Sequence, residues 1–218
     1  MAIAQAARAQ TRAALAGDSA AFDRVVTTRD ELKSGLAALR GDQPLAADGA
    51  MWNGIAGALD RLLAARPALV ELNGARDQLL KLAPQLLAAT GNLASALAPA
   101  DLATNQPYLE RFELTVEAIQ QHLRSLGSGS AAADTASRLG DEEQFLAQFI
   151  RGLRGEDQSL GMAPARGQAA QTNLEAASRL FEQVRKAWGV VVAGAAQLTT
   201  AEQAVATLDV AADGVLDR

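Results

Sequence analysis

Cysteine is absent from the 218-residue chain, which excludes disulfide staples and thiolate metal sites while remaining compatible with an oxidising compartment. Aromatic residues make up only 4% and histidine occurs once. A single imidazole, His122, with no His-x-x-x-His partner is a poor metal site, so it is read as an edge-of-core or exposed side chain. β-branched residues are sparse outside Val190 to Val192, and no run alternates apolar with polar, so strands are not expected. The longest apolar run near the end, Trp188 to Leu198, is too short to cross a bilayer. No signal peptide follows Met1, because arginines interrupt the opening segment. A chain that begins and ends in helical patterns reads as a piece of something longer.

Charge of one sign is also missing as a patch. The net charge of −5 is spread over interspersed acids and bases, so no basic face able to neutralise phosphates is visible and nucleic-acid binding is not expected. Neither a phosphate-binding GxxxxGK[ST] loop nor a strand-led GxGxxG is present. The serines of Ser125 to Ser130 lack the strand-and-helix context of a nucleophile elbow and read as a flexible loop. Asp141, Glu142 and Glu143 read as the start of a helix, where acids favour the positive end of the dipole. No catalytic residue, metal or cofactor is expected, and the chain is not read as an enzyme.

What is present is helix. Fifty of the 49% hydrophobic share's positions are alanine, the best helix former and a poor core filler, which points to many closely packed helices. Apolar residues return at three- and four-residue intervals through Phe22, Val25, Val26, Leu32, Leu36 and Leu39, within a first helix expected over 3–40 with a possible break at Gly17-Asp18-Ser19. Gly41 to Ala50 reads as a loop. A stripe from Trp52 through Ile55, Leu59, Leu62 and Leu63 reaches Pro67, and Leu72, Leu79, Leu86 and Leu93 then fall seven apart, as in a bundle. Pro67 is expected to break or kink this helix and Pro84 to kink it. Ala98 to Pro107 reads as a turn region. Phe112, Val116, Ile119 and Leu123 mark the next helix, Leu139 to Leu153 another, and Leu174, Phe181, Val184 and Trp188 a further one, before a last helix expected to begin at Thr199-Thr200.

One phrase occurs twice. AQTRAALAGDSAAF, Ala9 to Phe22, and AQFIRGLRGEDQSL, Ala147 to Leu160, share Ala-Gln, a basic turn, Leu-x-Gly and a following acid, as two copies of one supersecondary unit would. The pattern predicts an all-α fold of about six long helices. Two helical modules interweave over 1–218, with the first echo at 3–40 and the second at 133–198. A helix of nearly forty residues would approach roughly 55 Å, which leads to an elongated rod of two stacked antiparallel bundles. Trp52, Phe112, Phe181 and Trp188 are expected to pack in the core. Asn73, Arg76 and Asn173 lie at or beside seam positions, where a buried amide or guanidinium must find a helix, water or a ligand, so they are the candidate ligand-binding residues.

The segments IAQAARAQTRAALAGDSAAF, MWNGIAGALDRLLA, KLAPQLLAAT, RLGDEEQFLAQFIRGLRGED and NLEAASRLFEQVRKAW, in this order, resemble the periplasmic sensor region of the PilJ-type methyl-accepting receptors of type IV pili. The resemblance implies a periplasmic region flanked by transmembrane helices in a membrane-anchored full-length homodimer. It implies the major pilin subunit as partner and a cytoplasmic histidine-kinase pathway controlling twitching and surface sensing as output. The family's opening helix tends to carry Gln-Arg where this chain has Gln5-Ala6, so the anion site of related nitrate sensors is not carried over. Arg8 and Arg12 then read as a solvated helix face. Two alternatives stay open: a small-molecule-sensing domain with a pocket between helices, and a soluble structural or adaptor bundle.

Overall fold

The computed structural model describes residues 2–39, 46–127 and 132–216. These form six α-helices: α1 (Ala2–Leu15), α2 (Ser19–Leu39), α3 (Ala46–Ala96), α4 (Pro99–Ser125), α5 (Ala132–Arg154) and α6 (Gln168–Leu216). The fold is all-α, with no strand among the described residues. Of the two expected loops, 41–45 and 128–131 lie outside the described residues, as do the side chains of Leu39 and Leu216.

The opening segment does break at Gly17. The Asp18 amide donates to Ala13 O and the Gly17 amide to Ala14 O, the paired bonds of a Schellman motif around a glycine at φ 107°. The Asp18 carboxylate then accepts from the Ala20 amide at 2.9 Å and caps α2. The second copy of the phrase closes α5 in the same way. Glu156 N–H donates to Arg151 O, Gly155 N–H to Gly152 O, and Gly155 has φ 76°. The two copies diverge afterwards: one restarts a helix at once, whereas the other enters a non-helical stretch over 156–167.

Several expected boundaries are corrected, the possible break at Pro67 among them. Neither Pro67 nor Pro84 interrupts α3, because both lie on its exposed face while Leu62, Leu69, Leu82 and Leu86 are buried around them. Tertiary packing holds the helix across each missing amide. The 98–107 stretch is helix from Pro99 onward. Pro99 occupies the first helical position, where its missing N–H costs nothing, and the Leu102 amide makes the first bond back to Ala98 O at 2.8 Å. α6 continues through Thr199 and Thr200, whose hydroxyls bond back to Ala195 O and Ala196 O at 3.0 Å instead of capping a new helix. Asp141 to Glu143 lie in the interior of α5, and α3 has already begun at Ala46.

The chain divides into two compact units: Met1–Asn73 with Leu126–Ala133 and Gly194–Arg218, and Gly74–Ser125 with Asp134–Ala193. In the first unit each neighbouring pair of helices is antiparallel. Gln10 of α1 accepts from Thr28 of α2. Asp23 and Lys33 of α2 meet Arg66 and Asp60 of α3, Gly54 of α3 approaches Ala211 of α6, and Asp213 of α6 pairs with Arg8 of α1. Its interior is lean, with Ala4, Ala7, Ala14, Ala201, Ala204 and Ala212 buried beside Phe22, Ile55, Leu59, Leu62, Leu69 and Leu208. Small side chains let the helices approach closely, which is where much of the alanine goes.

The second unit closes the same kind of ring from α3, α4, α5 and α6. Its core holds Leu79, Leu86 and Leu93 from the seven-residue series, with Phe112, Phe149, Phe181 and Trp188 all at most 4% exposed. Phe112 and Phe149 rings lie 4.6 Å apart across α4 and α5, a tilted pair of the kind that adds about 0.5–1.5 kcal/mol to area burial. Trp52, in the first unit, is only half-buried. It sits in the second turn of α3 beside Met51 and Gly54, which are also half-buried, so the expected core role holds there only in part.

Candidate functional site

Of the three residues singled out for ligand binding, Asn73 is buried in the first unit at 8% exposure. Arg76 and Asn173 belong to the second unit. The Asn173 amide donates to the Asn92 carbonyl of α3 at 3.2 Å, a helix-to-helix bond. Arg76 pairs with its neighbour Asp77 at 3.3 Å. Asn92 lies sixteen residues beyond Arg76 on the same helix, about 24 Å at 1.5 Å per residue, so Arg76 and Asn173 do not share a site.

A connected polar cluster of the first unit is built on residues that read from sequence as a solvated helix face. Arg8 donates to Asp209 Oδ1 at 2.9 Å and to the Asp209 backbone carbonyl at 2.6 Å, and it pairs with Asp213 at 2.5 Å. Arg12 takes the other Asp209 oxygen at 2.8 Å. Only 22% of the Arg8 side chain is exposed; the Asp213 hydrogen bond, together with the charges of both acids, holds its guanidinium protonated beyond the ordinary arginine value. The sequence signal existed, because Arg8 and Arg12 stand one turn apart, as do Asp209 and Asp213. It could be read only once α1 and α6 were known to be neighbours. Arg12, Leu15, Gly127, Glu202, Val205 and Asp209 line a cavity of about 390 Å³ beside this cluster.

In the second unit the sequence reading missed Asn105, which is fully buried. Its side chain donates to Ala163 O at 2.8 Å and accepts from the Ala163 amide at 2.9 Å. The Tyr108 hydroxyl donates to Leu160 O. Together they pin the 156–167 stretch against α4 and supply the hydrogen bonds its backbone lacks. Asn105 fell inside the stretch read as a turn, where an asparagine carries no such meaning. His122, near the C-terminus of α4, lies 3.1 Å from Glu142 of α5, with side chains 23% and 15% exposed. Burial pushes the Glu142 carboxyl above the usual range, opposed by the attraction of His122.

A groove of about 440 Å³ runs beside α6, lined by Arg154, Glu175, Ser178, Arg179, Glu182 and Lys186. The Ser178 hydroxyl, on a residue 5% exposed, has no partner. No group of three or more metal-ligating side chains occurs among the described residues. No helix among them is long and apolar enough to cross a membrane. The chain matches no protein-family model, and no curated protein matches it significantly.

Proposed function

We propose that the chain is the non-enzymatic sensory ectodomain of a membrane-anchored receptor of the PilJ-type methyl-accepting class. It works in the periplasm, takes the major pilin subunit as its cue, and relays through its long helices to a cytoplasmic histidine-kinase pathway that controls twitching. The receptor acts as a homodimer. The observation that carries this reading is the antiparallel pairing of the first and last helices, Arg8 with Asp213 and Arg12 with Asp209. Both chain ends therefore leave the first unit on the same side, as a domain inserted between two membrane spans requires.

The test is twofold. The gene should encode apolar stretches of about twenty residues on either side of this region, and purified pilin should bind the domain at tens of micromolar. A reading frame lacking both flanking stretches rules the receptor out. A second reading, a small-molecule sensor, is favoured by the unpartnered Ser178 hydroxyl at the α6 groove. A metabolite at a hundred times its dissociation constant should stabilise its unit by about 2.7 kcal/mol. A melting shift of several degrees with one compound, lost in Ser178→Ala, would move the assignment to that class.

A further inference from the structure

We propose that α1 and the last turns of α6 are locked into one body within the first unit, with Asp209 as its bolt, so that the two chain ends move together and α6 does not slide along α1. The lock itself stands on geometry; its meaning for signalling rests on the receptor reading.

Asp209 accepts three hydrogen bonds from two side chains of α1. One carboxylate oxygen accepts from Arg8, the other from Arg12, and its backbone carbonyl accepts from Arg8 as well. A slide of α6 by one turn, about 5.4 Å, would separate Asp209 from these partners and, where Asp213 moved into its place, would leave one carboxylate for the two that now face Arg8. α6 is also keyed to α3. Gly194 leaves room for Leu72 so tightly that a Cβ there would lie 2.8 Å from Leu72 Cδ1 and 3.1 Å from Leu72 Cβ. At Gly214 an added Cβ would come within 2.8 Å of the Met51 sulfur. Advancing α6 would drive residues with side chains into the space these glycines leave, and close-packed contacts of this kind do not deform continuously. The face that α1 turns inward, Ala4, Ala7, Thr11 and Ala14, is built of small residues at no more than 1% exposure, which leaves little slack on that side. A displacement of α6 in this unit therefore carries α1 with it, and the output of the domain is a motion of the helix pair.

Native-state hydrogen exchange on the intact 218-residue protein tests this. Amides of residues 4–15 and 205–214 should open in one event with the same protection. Asp209→Asn should accelerate both segments by the same factor, at least about tenfold, the scale of losing a charge-assisted hydrogen bond, while residues 79–93 keep their protection. Arg12→Gln removes only the exposed arm and should accelerate both segments equally by a smaller factor, which keeps the test usable if the first variant unfolds the unit. Faster exchange of α1 than of 205–214 in the unaltered protein, or acceleration of one segment alone in either variant, overturns the lock. Neither flanking membrane spans nor pilin binding enters this readout, so failure here leaves the receptor reading standing, and the reverse is also true.

Discussion

Replacing Asn105 with alanine should loosen the second unit out of proportion to the size of the change. The side chain is fully buried and makes two hydrogen bonds, at 2.8 and 2.9 Å, to the amide and carbonyl of one residue, Ala163. Each bond contributes about 1 kcal/mol net, and each half-buried backbone group left without a partner adds up to about another 1 kcal/mol, giving about 2–4 kcal/mol in total. With a urea slope of roughly 2–3 kcal/mol per molar, the unfolding midpoint of this unit should fall by about 1 M. Asn105→Asp keeps the acceptor but turns a charged oxygen toward the Ala163 carbonyl, so at pH 7 it should cost at least as much. Thr104→Ala, one residue earlier on the exposed face, should stay within about 0.5 kcal/mol and serves as the control. If Asn105→Ala costs no more than this control, or if the Ala163 amide keeps its exchange protection, the clamp does not hold the 156–167 stretch.

Two further outcomes follow from local geometry. Gly155→Ala, at φ 76° and with its new Cβ 3.3 Å from Pro164, should cost about 1–2 kcal/mol in chemical denaturation because an L side chain is strained in the left-handed region. Glu142 has a carboxyl raised in the folded state, so its contribution to stability is complete below the unfolded carboxylate range and is lost as pH rises through the raised value. Glu142→Gln removes that loss, so urea midpoints of the variant relative to the parent should rise as pH climbs above the ordinary carboxylate range; a flat difference would mean that His122 compensates fully for the burial.

Much of the helical architecture was legible because its signals are local. The seven-residue series Leu72, Leu79, Leu86 and Leu93 is buried throughout, and the doubled phrase marked two helix ends that share one hydrogen-bonding motif at Gly17 and Gly155. Boundaries failed where a local rule met tertiary packing. Pro67 reads as a possible breaker from sequence, yet it lies on an exposed helix face, where water can serve the freed carbonyl. Thr199 and Thr200 resemble caps, but a threonine inside a helix can bond its own preceding turn instead. The site was less legible, since its residues acquire meaning only by juxtaposition. Arg8 and Asp209 are 201 residues apart, Asn105 and Ala163 are 58 apart, and no periodicity links them. Asn173 was singled out for its seam position, and the structure shows that amide bonded to a neighbouring helix.

The shared ownership of α3 and α6 has a consequence for how the chain can be cut. The first unit takes α3 up to Asn73 and α6 from Gly194 onward, while the second takes what lies between except Leu126–Ala133. The Leu72 side chain packs against Gly194, so the points where the chain leaves the first unit on α3 and re-enters it on α6 lie side by side. No single cut yields two contiguous halves that each contain one bundle. A deletion can do what a cut cannot: joining Asn73 to Gly194 through a short glycine-containing turn would convert two long helices into an ordinary hairpin and leave a miniature four-helix protein that carries both original termini.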